Sequence, residues 1–212
     1  MDKYQTTFNT WNKIALLYQE KFMDLDLYDD SYDTFCQQIK TPNPTILEIG
    51  CGPGNITKYL LNKRPDFQVE GIDVAPKMIE LAQKNNPTAR FTTMDCREIN
   101  TLAKTYDAII CGFCLPYLSK EDVIKLIADC FNLLNKQGIL YLSAIEDDYA
   151  KSGYETGSTG DQTYVYYHSG KDLQNQLKAH HFEATREFRK TYQKRDGADQ
   201  THLIVLARKT LK

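Results

Sequence analysis

The stretch "ILEIGCGPGNIT", residues 46–57, constrains this 212-residue chain more than any other. An apolar run ends in an acid, glycines stand at 50, 52 and 54, and a helical pattern begins. A strand that runs into a glycine-rich turn and then a helix presents backbone N–H groups to a ligand. Which ligand it serves depends on what surrounds it.

The rest of the chain alternates in the same manner. Short apolar runs at Thr45–Ile49, 68–72, 89–94, 108–111 and 139–143 predict strands buried on both faces. Helical patterns lie between them. One runs over 55–64, with Asn55 as N-cap and Pro65 as its stop, and Pro76 suits the first turn of "PKMIELAQKNN". Ser119 with Asp122 forms a capping pattern before Ile124, Ile127, Ala128, Phe131 and Leu134, and Gly138 closes that helix. Ser169 and Asp172 repeat the cap before "LQNQLKAH". Runs at 184–192 and 202–207 have no helix between them and predict a hairpin across "QKRDGADQ". The expectation is an α/β fold: a doubly wound, mostly parallel seven-stranded sheet with an antiparallel C-terminal hairpin strand, in three α/β/α layers.

Bulk properties narrow the function. A formal net charge of −2 argues against a large nucleic-acid surface. The polar start "MDKYQTTFNTWNK" lacks the apolar core of a signal peptide, and no apolar run approaches the roughly 20 residues of a membrane span. Six cysteines without such a signal suggest a reducing, cytoplasmic setting. Cys111 and Cys114 form a C-x-x-C at an apolar strand end, where buried thiols are the expected reading and no metal site is predicted. The acidic stretch "DLDLYDDSYD" fails as an EF-hand loop, because Asp29 stands where the turn glycine belongs.

In open α/β sheets the ligand sits beyond the C-terminal ends of the strands. That rule gathers Glu48 to Gly54, Asp73, Asp95 and the stretch from Cys111 to Tyr117 around one crevice. A P-loop motif is absent, and the dinucleotide spacing fails because its third glycine falls on Asn55 or Thr57. Glu48 and Asp73 also add negative charge where a pyrophosphate would lie.

The four glycine-loop residues Glu48, Gly50, Gly52 and Gly54 resemble the first motif of class I S-adenosylmethionine-dependent methyltransferases. "VEGIDVAPKMIELA", "FTTMDCREI" and "YDAIICGFCLPYLSKED" resemble the next three motifs in order. The resemblance is dense over 45–145, loose before it and topological after it. It implies a single methyltransferase domain, with 1–40 as a helical lid, 45–145 as the cofactor core, 146–168 as the acceptor segment and 169–212 as the C-terminal helix and hairpin. It also implies S-adenosyl-L-methionine as cofactor. Gly50, Cys51, Gly52 and Gly54 would let backbone approach it, with its carboxylate at the start of the Asn55 helix. Glu48 would hold its amino group, Asp73 its ribose hydroxyls, and Val74 and Met78 its adenine faces. Asp95 and the Cys96 N–H would meet the adenine edge, with Cys111 and Gly112 beneath.

Methyl transfer needs alignment more than acid–base chemistry, so no catalytic residue is assigned. If the acceptor is a hydroxyl a base would help, and His168 in "TYVYYHS" is the candidate. His180 and His181 read as helix-end residues and His202 as structural. Trp11, Ile14, Ala15, Tyr18 and Phe22 form one helical stripe, from which Trp11 and Tyr18 are expected to close over the cofactor. Tyr149, Tyr154, Tyr164, Tyr166 and Tyr167 are expected to wall the acceptor site. "CLPYL" lacks the Asn/Asp-Pro-Pro-aromatic pattern of amino-adenine methylation, so a small-molecule acceptor is expected. An RNA or protein acceptor, or cofactor binding without transfer, is the alternative. No partner beyond that acceptor is implied, and oligomeric state is left open.

Overall fold

The computed structural model describes residues 2–194 and 197–210. Seven strands form the main sheet: β1 (Thr45–Ile49), β2 (Gln68–Asp73), β3 (Arg90–Thr93), β4 (Tyr106–Cys111), β5 (Leu134–Ile145), β8 (Phe182–Gln193) and β9 (Asp199–Lys209). Their order is β3-β2-β1-β4-β5-β9-β8. The first five pair in parallel, while β9 pairs antiparallel with both β5 and β8. The expected mixed sheet is therefore present, with the last strand inserted before the one that precedes it. Arg195 and Asp196, in the predicted hairpin loop, lie outside the described residues. The predicted acceptor segment holds a separate hairpin of β6 (Gly153–Thr156) and β7 (Gln162–Val165).

Both faces of the middle of the sheet are covered, which explains why β1, β4 and the later part of β5 read as continuous apolar runs, while the edge strands β3 and β8 are largely exposed. Leu47, Ile49, Ile109 and Leu140 pack with Leu126 and Ile127 of α6 (Lys120–Leu133) and Leu173 of α7 (Gly170–Ala179). Ile46, Ile110 and Tyr141 pack with Phe35 of α3 (Asp29–Gln38) and Leu60 of α4 (Asn55–Lys63). The period of two along β1 puts Glu48 on the α4 face. Two side-chain caps stand as predicted: the Asp122 N–H donates to the Ser119 hydroxyl and the Asp172 N–H to that of Ser169.

Three local expectations are corrected. Asn55 does not cap α4; Gly54 does, at φ +80°, and a Cβ there would lie 2.4 Å from Asn86 Nδ2. Gly138 does not close α6, which ends at Leu133. The left-handed residue of that turn is Gln137, at φ +62°, and Gly138 lies in β5, where a Cβ would come 3.1 Å from the Asp107 carbonyl. The N-terminal stripe is not one helix. It breaks at Ile14 (φ −99°, ψ 17°) into α1 (Lys3–Lys13) and α2 (Ala15–Phe22). Within the acidic stretch Asp24, Asp30 and Asp33 pair with Lys58, Lys190 and Lys63, while Tyr28, Ser31 and Tyr32 are buried in the core.

Candidate active site

A cleft enclosing about 770 Å³, its open mouth included, lies over the C-terminal ends of β1, β2 and β4. Its wall is the glycine loop. Gly50 and Gly52 take φ of +69° and +51°, a region that favours glycine, and the Gly50 and Cys51 N–H groups both donate to the Ile72 carbonyl. Asp73 pins the same loop from β2. One of its oxygens accepts from the Gly52 N–H at 2.9 Å and the other from the Ala75 N–H at 2.8 Å, while its carboxylate lines the cleft. Burial pushes the Asp73 carboxyl up. Val74 and Met78, the latter on α5 (Pro76–Asn85), continue this wall.

The next edge is Asp95, which accepts from the Arg97 N–H and is forked by the Arg97 guanidinium at 3.0 and 2.5 Å. Burial alone would raise this carboxyl, but the Arg97 hydrogen bonds hold it below the ordinary carboxylate range. Gly112 forms the floor. A Cβ there would lie 2.3 Å from Ile56 Cδ1, so any larger residue would push the end of that α4 side chain aside.

The roof is aromatic and comes from the N-terminus. Trp11 meets Tyr18 and Tyr117 edge-on, each at 5.4 Å between ring centres. Tyr18 Cε1 lies 3.6 Å from where a Gly52 Cβ would stand. The Trp11 Nε1 is buried without a partner. α1 is tied down from outside: the Thr10 hydroxyl donates to the Gln162 carbonyl at 2.6 Å, and the Tyr164 N–H donates to the Thr7 hydroxyl at 3.0 Å.

Beneath the loop, Glu48 is fully buried. One oxygen accepts from the Thr57 hydroxyl, and the other, Oε1, has no partner. Burial pushes its carboxyl up to about 8. No side chain caps the first turn of α4. The donor set is therefore specific: backbone N–H groups for an anion, carboxylates for hydroxyls or an amine, and an orphaned buried oxygen. Those features fit an amino-acid-bearing nucleoside, and they suit a pyrophosphate poorly.

Of the predicted residues, the structure brings Trp11, Tyr18, Gly50, Gly52, Asp73, Val74, Met78, Asp95, Cys96 and Gly112 to the cleft surface. Glu48, Cys51, Gly54 and Cys111 build its walls from behind. His168 is elsewhere. It is buried, its Nε2 lies 2.9 Å from the Leu115 carbonyl, and it borders a separate hollow beside Lys120 and Asp172. The chain turns back there because the His168 N–H bonds the Ile145 carbonyl at the end of β5. The tyrosine wall is likewise displaced: none of the five reaches the cleft, and Tyr164 packs on Tyr166 with Lys3 Nζ 4.0 Å above its ring. His202 is structural, bonded by Tyr28 at 2.6 Å. Sequence reasoning missed Thr7, Phe8, Met94 and Leu118, which also line the cleft. Phe8 stands three residues before Trp11, so the helical stripe held that signal. Among the described residues, no group of three His, Cys, Asp or Glu side chains could hold a metal ion.

Residues 46–138 match the family model described as "Methyltransferase domain". The malonyl-[acyl-carrier protein] O-methyltransferase of Acetivibrio thermocellus is 42% identical over 100 residues, covering 46% of this chain and 34% of that protein. The trans-aconitate 2-methyltransferase of Escherichia coli is 34% identical over 95 residues, covering 45% and 36%. The chain spans half or less of the length of the curated relatives it matches. Among solved structures, the magnesium protoporphyrin IX methyltransferase of Synechocystis PCC 6803 with bound SAH superposes with a TM-score of 0.74 at 18% identity, over 99% of this chain and all of that one. The 1,6-didemethyltoxoflavin-N1-methyltransferase of Burkholderia thailandensis gives 0.73 at 20%, over 98% and 88%. The fold is that of the class I S-adenosylmethionine-dependent methyltransferases. Residues 46–138 are the part of this fold that is similar to the methyltransferase domain.

Proposed function

We propose that this protein transfers the methyl group of S-adenosyl-L-methionine to a small-molecule acceptor. The observation that carries the reading is Asp73, which holds the glycine loop by the Gly52 N–H and still presents its carboxylate to the cleft. The chain works in this reading as a single domain: 1–40 roofs the site, 45–145 holds the cofactor, 146–168 buttresses the roof, and 169–212 completes the sheet. Asp73 holds ribose hydroxyls, Val74 and Met78 flank the base, and Asp95 with the Cys96 N–H meets its edge. The start of α4 takes the carboxylate, and Glu48 Oε1 takes the amine directly or through water. The six free thiols fit a reducing, cytoplasmic setting. No helix among the described residues is long and apolar enough to cross a membrane.

The bound cofactor supplies an activated methyl group; the chain supplies a dry, oriented slot. Trp11, Tyr18 and Tyr117 exclude water and hold the reactants in line. Among the described residues that line the cleft, Asp73 is committed to the glycine loop and the ribose, and no other side chain is placed as a base. Burial pushes the Tyr18 and Tyr117 phenols up, Asp95 is held by Arg97, and His168 faces another hollow. The acceptor is therefore one whose nucleophilic atom carries no proton at neutral pH, such as a carboxylate. The malonyl and trans-aconitate groups in the names of two relatives favour the same class.

A calorimetric titration tests the cofactor. S-adenosylmethionine should bind, NADH should not, and Asp73→Ala should weaken binding about tenfold or more. A screen of carboxylate metabolites, read by release of S-adenosylhomocysteine, tests the transfer. No heat of binding at millimolar S-adenosylmethionine would end this reading.

A further inference from the structure

Two thiols meet inside the cleft. Cys96 opens the 3-10 turn after β3, and Cys114 follows the end of β4. Their Sγ atoms are 3.5 Å apart, both residues line the cleft, and both thiols are free. Cys114 also presses on the glycine loop, where a Gly50 Cβ would lie 3.1 Å from Cys114 Cβ. Methyl transfer gives this sulfur pair no task.

We propose that Cys96 and Cys114 form a reversible oxidation site whose disulfide closes the cleft to its cofactor. The closure, though not the disulfide itself, rests on the cofactor assignment above. A disulfide needs its sulfurs about 2.05 Å apart, so oxidation draws the turn that carries Asp95 toward the end of β4. The slot for a flat ring lies between those elements and the wall of Val74 and Met78, and its shape changes with them. A ligand already in the slot covers both sulfurs and delays the reaction.

The oxidant is hydrogen peroxide. The sulfur of one thiol attacks a peroxide oxygen; an S–O bond forms, the O–O bond breaks, and the departing oxygen leaves as water with the thiol proton. The second sulfur attacks the resulting sulfenic acid; an S–S bond forms, the S–O bond breaks, and a second water leaves. Two thiols lose two electrons in all, and the peroxide gains them. A dithiol reductant reverses the bond by exchange. The hydrogen bond with Cys114 and burial push the Cys96 thiol up; hydrogen bonding with Cys111 and burial do the same to Cys114. The pair consequently reacts slowly, on the scale of sustained rather than momentary oxidation.

Cys111 is the competing partner, two residues before Phe113 on the same strand end, and the test separates it. The whole protein is treated with hydrogen peroxide, digested with trypsin without reduction, and analysed by mass spectrometry. The link expected joins residues 91–97 to 105–120, with fragmentation locating Cys114. It should survive Cys111→Ser and vanish in Cys114→Ser. Oxidised protein should bind S-adenosylmethionine about tenfold or more weakly, and dithiothreitol should restore it. Saturating S-adenosylmethionine should slow the linking. Absence of a Cys96–Cys114 link overturns the site; a link with unchanged affinity overturns the closure. If the reduced protein itself fails to bind S-adenosylmethionine, the functional reading falls, and the link alone decides the oxidation site.

Discussion

Glu48 carries an unbalanced interaction into the core: one oxygen bonded to Thr57, the other bonded to nothing. A buried carboxylate in that position is costly as an anion, so the folded protein keeps a proton up to about pH 8, whereas the ordinary value is 4.5. The folded state then binds more protons than the unfolded chain between those values. The stability this group contributes is complete below about 4.5 and is lost as pH rises through about 8. Thermal melts at pH 5 and pH 9 should show a fall that Glu48→Gln flattens. An equally steep fall in the variant would exclude Glu48 as its source. A ligand ammonium placed on Oε1 should also expel the proton, seen as a binding enthalpy that depends on the buffer's ionisation heat in wild type and not in the variant. Residue by residue, the sequence was informative where a side chain's place follows from a strand end. Asp73 is the last residue of β2, Glu48 the last but one of β1, and Asp95 follows β3 by two residues, so all three stand where short parallel strands end at the crevice. His168 misled because its place depends on the Ile145 bond after a long connection, which no local pattern encodes.

At the level of elements, the N-terminal helices show how periodicity can be right about a face and wrong about a rod. The apolar stripe through Trp11 and Tyr18 does face the cleft, but the break at Ile14 lets α1 lean on the β6–β7 hairpin while α2 reaches α5. Ile14 has no glycine or proline to mark it, so the bend comes from tertiary contacts on both sides. The double variant Trp11→Ala with Tyr18→Ala removes the roof's aromatic contacts without touching the sheet. S-adenosylmethionine affinity should fall about tenfold or more, while the denaturant midpoint of unfolding stays near that of wild type. Unchanged affinity would deny these rings a role in binding. The tyrosines of 149–167 misled for the matching reason: their segment forms its own hairpin outside α1 and supports the roof from behind.

Across the whole molecule, the sheet was the most legible feature. The central strands announced themselves because strands covered on both faces are apolar and helices with readable caps separate them, whereas the largely exposed edge strands β3 and β8 were marked by their place in the alternation of elements. The insertion of β9 between β5 and β8 was not legible, since a hairpin's sequence states that two strands pair and not which one meets the sheet. The floor of the cleft comes from residues near the middle of the chain, and its roof from residues before Phe22. Hydrogen exchange followed by mass spectrometry should therefore report slower exchange at amides of 3–22 when S-adenosylmethionine is added, with β4 and β5 little changed. Uniform protection, or none at 3–22, would argue against a roof that closes on ligand.

Tyr18 rests 3.6 Å from the place of a Gly52 Cβ, with α1 tied to the hairpin by Thr10 and Thr7. Release of those two threonine ties would widen the way out for anything lodged below. Under the proposed reading, the lifetime of a bound product should shorten in Thr10→Val, which loosens the helix from the hairpin without altering the sheet.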